Sequence, residues 1–152
     1  MKSYDKLNSY ERIHTQWSGL MDPNAPWISN LSNACALLYH ELQPWWVGFY
    51  LVEEDNLYLG PFQGPVACTR IPKGKGVCGT SWESEKTIIV PDVHKFPGHI
   101  ACSEVSNSEI VIPLYQNDKI WGVLDIDSSE FNAFDEVDAL ELEKFCASLT
   151  FK

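Results

Sequence analysis

SEIVIPLYQNDKIWGVLDIDS, residues 108–128, is the stretch that decides the fold. Two runs rich in β-branched and aromatic residues, 109–115 and 119–127, flank Gln116, Asn117 and Asp118, which reads as a β-hairpin. Side chains alternate faces along a strand, so Trp121, Val123, Asp125 and Asp127 share one side while Ile120, Leu124 and Ile126 share the other. Read as a three-residue loop, the turn pairs Tyr115 with Lys119 and, in the same register, sets Glu109 opposite Asp125. Three carboxylates then crowd one face of a single hairpin.

Working outward, the same sheet gathers more strands. TrpTrpValGlyPheTyrLeuVal, from Trp45 to Val52, turns at residues 53–56 into Leu57-Tyr58-Leu59, a second hairpin. A short strand is expected around Cys68 and another over 87–90. Between them Gly74, Gly76 and Gly79 suit a tight loop that leads into a short helix near Ser81 to Ser84. Residues 91–108 hold Pro97-Gly98 and few periodic apolar positions, so they are expected to form a long loop, and loops of that length in compact domains are often functional.

The two ends of the chain are helical. Leu7, Tyr10, Ile13, His14 and Trp17 recur at helical spacing, with Gly19 as a stop. Leu31, Cys35 and Leu38 form a second stripe behind Pro26. The last helix is expected from Phe134 or Asp135 through Val137, Leu140, Phe145 and Leu149. Helices at both ends of a run of hairpin-linked strands indicate one α+β domain over residues 1–152 with a mainly antiparallel sheet. No linker, repeat or low-complexity tract divides it.

Composition narrows the function. The 152 residues are 45% hydrophobic and 21% charged, ordinary globular usage, and a chain of this size buries roughly 70% of its unfolded surface. A formal net charge of −10 repels phosphate backbones and anionic lipid, so no nucleic acid and no membrane is expected as a partner. Residues 1–10 lack an apolar leader core and no apolar run is long enough to span a bilayer, from which a cytoplasmic protein is expected. The cysteines, at 35, 68, 78, 102 and 146, are odd in number and do not read as a structural disulfide framework.

Like charges raise one another's pKa, so Glu109, Asp125 and Asp127 should titrate as a coupled set with one proton retained near neutral pH. Such a proton can pass to a developing oxyanion, and the remaining charge can grip an ammonium group. The same pattern also fits a solvated sheet face, or a metal site, although no histidine sits in those strands. Cys35 and Cys146 lie among apolar neighbours on helices and are expected only to pack. Cys68, Cys78 and Cys102 lie in or beside loops that permit movement. None forms a Cys-x-x-Cys pair, which argues against structural zinc and a thioredoxin-like centre. Trp46 and Tyr50, four apart in a strand, share a face and suit either core or a binding wall.

The motifs GKGVCG (74–79), VPD (90–92), FPGHIAC (96–102), SEIVIP (108–113) and GVLDIDS (122–128) together resemble the free methionine-(R)-sulfoxide reductases, single-domain enzymes on the GAF fold. The likeness spans nearly the whole chain. It implies a sheet of about six antiparallel strands flanked by N- and C-terminal helices, in a homodimer with the terminal helices near the interface. It implies Cys102 as nucleophile, Cys68 as resolving partner and Cys78 as an auxiliary one. Trp46 and Tyr50 would surround the substrate methyl, and Glu109, Asp125 and Asp127 the polar end. Cys102 would attack the sulfoxide sulfur, and its sulfenic acid would condense with Cys68 to a disulfide that thioredoxin reopens, with no metal or organic cofactor. A GAF sensory module binding a cyclic nucleotide, or a thiol redox sensor, is the alternative. Clustered carboxylates disfavour the anionic nucleotide, and a standalone domain is expected to lack the output partner such modules usually regulate.

Overall fold

A computed structural model describes residues 3–100, 102 and 104–151; Ala101 of the long-loop motif lies outside them. Two helices, α1 (Ser3–Leu20) and α2 (Trp27–Leu42), lead into β1 (Trp46–Glu53), β2 (Asn56–Gln63) and β3 (Arg70–Pro72). Then come α3 (Gly76–Ser84), β4 (Ile88–Val90), a 3-10 turn over Val93–Lys95, β5 (Ser108–Gln116), β6 (Lys119–Ser128) and α4 (Glu136–Ala147). The strands form one sheet in the order β3-β2-β1-β6-β5-β4, each neighbouring pair antiparallel. This is the α+β arrangement expected from the sequence.

Local chemistry sets the helix limits. Pro26 caps the start of α2 and Gln43 ends it in the left-handed conformation, its N–H returning to the Tyr39 carbonyl. Asp135 caps α4 through a reciprocal capping box with Asp138. Asp138 does more than cap, because it is buried and also accepts from Lys6 Nζ and from Tyr10 Oη, each at 2.6 Å. That network ties the first helix of the chain to the last.

The sheet separates two cores. One face packs on α1, α2 and α4 through residues such as Ile13, Trp17, Leu38, Phe49, Ile112, Leu124 and Phe145. Cys35 and Cys146 belong to this core, where burial pushes both thiols up, Cys35 to about 12. Two members of the expected stripes do not join it: Leu7 and Leu140 are exposed. The other face carries Trp46, Tyr50, Val111 and Val123 and is covered by α3 and the loops.

The hairpin of residues 108–128 departs from the expected register in an informative way. Its turn has two residues, not three: Asn117 and Asp118 both take positive φ, and Gln116 pairs with Lys119. A bulge between Leu114 and Tyr115 adds one more step, so Tyr115 faces Ile120 but Leu114 faces Gly122. Glu109 therefore lies opposite Asp127, and Val111 opposite Asp125. The net slip is two residues, which restores the same faces, so the acid cluster survives. Beyond the bulge the faces are exchanged: Trp121 packs with the helical core and Ile120 with the opposite one, the reverse of simple alternation.

The strand expected around Cys68 begins later, at Arg70, and leaves Cys68 in the preceding loop. The short helix begins earlier than expected, at Gly76, and so takes Cys78 into its first turn.

Candidate active site

On the second face of the sheet a cavity of about 610 Å³, open mouth included, is walled by residues from every layer around it. β1 contributes Trp46 and Tyr50, β5 contributes Glu109, and β6 contributes Asp125 and Asp127. α3 supplies Cys78, and the loop before β5 supplies His99, Cys102 and Ser106.

At the inner end the three acids are not a solvated sheet face. Glu109 and Asp125 are each only 6% exposed. Burial first, and then the neighbouring Asp127 charge, push Glu109 up to about 8. Burial and the Glu109 charge hold Asp125 well above the ordinary carboxyl range. Burial and Asp125 do the same to Asp127, whose Oδ1 accepts from Ser106 Oγ at 3.3 Å. Glu109 and Asp125 are joined by a hydrogen bond, and the Cys78 thiol is joined to Asp125 by another. Asp125 Oδ1 is buried without a hydrogen-bond partner. The set thus keeps protons at neutral pH, with one buried oxygen, Asp125 Oδ1, left unpaired.

The aromatic pair does two things at once. Trp46 and Tyr50 stack with ring centroids 5.9 Å apart, and Trp46 also stacks on Phe62 at 5.4 Å. The Trp46 ring lies across Gly48, where an added Cβ would collide with it and come within 2.5 Å of Phe62 Cβ. Their polar tips hold the neighbouring loop: Trp46 Nε1 donates to the Pro65 carbonyl at 3.1 Å and Tyr50 Oη to the Cys68 carbonyl at 2.9 Å. The wall of the cavity and the position of Cys68 are therefore set by the same side chains.

Cys68 and Cys102 form a disulfide at the mouth, with Cα atoms 5.5 Å apart across 34 residues of sequence. Cys102 is exposed and Cys68 half-buried, so the bond is reachable from solvent. Cys78 differs from the mobile thiol expected from sequence. It is buried on α3, and burial together with the facing acids pushes its thiol well above its usual range. A helix holds it, and it lines the same cavity as Cys102.

All the expected site residues, Cys68, Cys78, Cys102, Trp46, Tyr50, Glu109, Asp125 and Asp127, are brought to this one region. Sequence reasoning missed His99, whose Nε2 lies 3.7 Å from Glu109 Oε1, as well as Lys75 and Ser106. His99 sits three residues before Cys102 in the quoted loop motif, the one signal that marked it. Burial lowers its pKa, which favours neutral imidazole.

A family model described as GAF domain matches residues 31–151. GAF domain-containing protein A of Dictyostelium discoideum is 58% identical over 134 residues, covering 88% of this chain and 85% of that protein. The free methionine-R-sulfoxide reductase of Escherichia coli is 46% identical over 146 residues, covering 95% and 88%. Among solved structures, the free methionine-R-sulfoxide reductase from Neisseria meningitidis, in complex with its substrate, superposes with a TM-score of 0.89 at 46% identity. That match covers 96% of this chain and 87% of the other. With the thiol pair, the cavity and the acid cluster all present on this frame, the chain belongs to the GAF-domain family of free methionine-R-sulfoxide reductases.

Proposed function

We propose that the protein reduces free methionine-(R)-sulfoxide to methionine, with Cys102 as nucleophile, Cys68 as resolving thiol and thioredoxin as the external reductant. The observation that carries this reading is the Cys68–Cys102 disulfide standing at the mouth of a cavity whose inner end holds buried, proton-bearing acids.

The Cys102 thiolate attacks the sulfoxide sulfur while Glu109, within the Asp125 and Asp127 set, protonates the oxygen, giving a Cys102–sulfur adduct that carries the hydroxyl. The hydroxyl then passes to the Cys102 sulfur as the S–O bond and the new S–S bond break, so methionine leaves with two electrons gained and Cys102 is left as a sulfenic acid. The Cys68 thiol then attacks that sulfur, water departs, and the disulfide remains. Exchange with the dithiol of thioredoxin returns both thiols. No metal or organic cofactor enters these steps.

Trp46 and Tyr50 offer an apolar wall to the methyl group, and the unfilled Asp125 oxygen offers an acceptor to the free ammonium. A peptide-bound substrate has no ammonium to fill that acceptor and would leave it buried and unpaired, which disfavours protein-bound methionine sulfoxide. Further readings follow from the same residues. Exposed Leu7, Leu20, Ile28 and Tyr39 on α1 and α2 support a homodimer through the terminal helices. The free thiols Cys35, Cys78 and Cys146, and a disulfide that must reopen at each turnover, suit the reducing cytoplasm.

The test supplies free methionine-(R)-sulfoxide with thioredoxin, its reductase and NADPH, and measures methionine released. Turnover by the wild type and none by Cys102→Ser is expected. Disulfide formation without methionine release would replace this reading with that of a thiol sensor.

A further inference from the structure

We propose that the inner end of the cavity is also a binding site for a zinc-type divalent cation, with Cys78 Sγ, a Glu109 oxygen and an Asp125 oxygen as its ligands. One potential ligand atom from each of the three lies within 4.8 Å of those of the other two, and all three residues are buried. They come from α3, β5 and β6, three elements that pack together around the second core. Placement on regular elements of this kind suits a metal site better than placement on loops.

One further observation points to a ligand. Asp125 is 94% buried, lines the cavity, and leaves Oδ1 with no hydrogen-bond partner. A polar atom in that state is satisfied by an arriving positive group. Among the described residues the group of mutually close ligand atoms holds these three and not His99, which leaves the fourth position of a tetrahedral ion to water or an arriving ligand. A thiolate with carboxylates selects zinc or a similar borderline ion over magnesium and calcium, which require oxygen donors. The cation would replace the hydrogens that now join Cys78 to Asp125 and Asp125 to Glu109.

Cys78 is outside the Cys68–Cys102 disulfide, so the site persists in the oxidised protein. If the proposed reductase reading holds, the ion occupies the place of the substrate ammonium and acts as a competitive inhibitor. The binding itself is independent of that reading.

The experiment titrates the whole oxidised protein with Co²⁺, a spectroscopic substitute for Zn²⁺. One equivalent is expected to produce a thiolate-to-cobalt charge-transfer band in the near ultraviolet, abolished by Zn²⁺. The band should vanish in Cys78→Ser, persist in the Cys68→Ser/Cys102→Ser double variant, and require more than about tenfold more cobalt in Asp125→Asn. Far-ultraviolet dichroism establishes that each variant is folded, and Asp125→Asn, nearly isosteric, decides the matter if Cys78→Ser does not fold. A folded wild type without the band, or undiminished cobalt affinity in Asp125→Asn, overturns the site. Methionine release measured on the same metal-free protein keeps the two readings apart: cobalt binding without reduction refutes the reductase reading alone, and reduction without the band refutes the cation site alone.

Discussion

Replacing Glu109 by glutamine tests whether a buried carboxyl holds a proton at neutral pH. Burial and the neighbouring Asp127 charge push Glu109 up to about 8 in the folded protein, against an ordinary value of 4.5. Between those values the unfolded chain has released the proton and the folded chain has kept it. The folded state therefore binds more protons, and stability falls as pH rises through that window. Each pH unit removes about 1.4 kcal/mol for one proton, so the loss attributable to this side chain reaches the order of 5 kcal/mol by pH 8. Glutamine has no such proton to lose. Urea unfolding at pH 5, 6, 7 and 8 should show wild type and Glu109→Gln similar near pH 5, with the variant gaining on the wild type at each step upward. The same substitution should slow reduction of the sulfoxide by roughly 10²- to 10⁴-fold, the usual worth of a positioned proton donor. Wild type should lose rate above about pH 8 as the donor ionises. Parallel stability curves for the two proteins would refute the held proton, and an unchanged rate would refute the donor role.

Other substitutions probe the parts separately. Cys68→Ser should release one equivalent of methionine in a single-turnover assay and then stall with thioredoxin, because burial and the facing acids keep the Cys78 thiol protonated and a poor nucleophile; sustained turnover would show that Cys78 resolves the sulfenic acid. Gly48→Ala should push the Trp46 indole from its place and raise KM more than it lowers kcat, while stopped-flow reduction at saturating substrate stays near wild type. Lys6→Met should cost about 3 to 5 kcal/mol in urea unfolding, since it leaves the buried Asp138 charge uncompensated between α1 and α4. A loss under 1 kcal/mol would mean that water replaces the ammonium there.

Much of this protein was legible without coordinates. The change of period from 3.6 to 2 near Trp45 marks where helix gives way to sheet, and the period of two alone put Glu109, Asp125 and Asp127 on one face. That deduction tolerated a wrong turn length, because the two-residue turn and the bulge together displace the register by two and an even slip leaves faces unchanged. Trp121, on the far side of the bulge, had no such protection, and its assignment reversed.

What the sequence by itself determined is periodic and local: which segments are helix or strand, which residues share a face within an unbroken strand, and that the acids must crowd together. Only the tertiary structure decided what surrounds them. It showed Glu109 and Asp125 buried where alternation could not tell a wet face from a dry one, and it moved Cys78 from an expected mobile loop into a helix beside Asp125. It also brought Cys68 and Cys102 together across 34 residues and carried His99 to Glu109. The physical reason is that proton retention depends on desolvation and on charges a few ångströms away, while bonding between thiols depends on their separation in space. Both are set by contacts between residues distant in the chain, about which a local repeat carries no information.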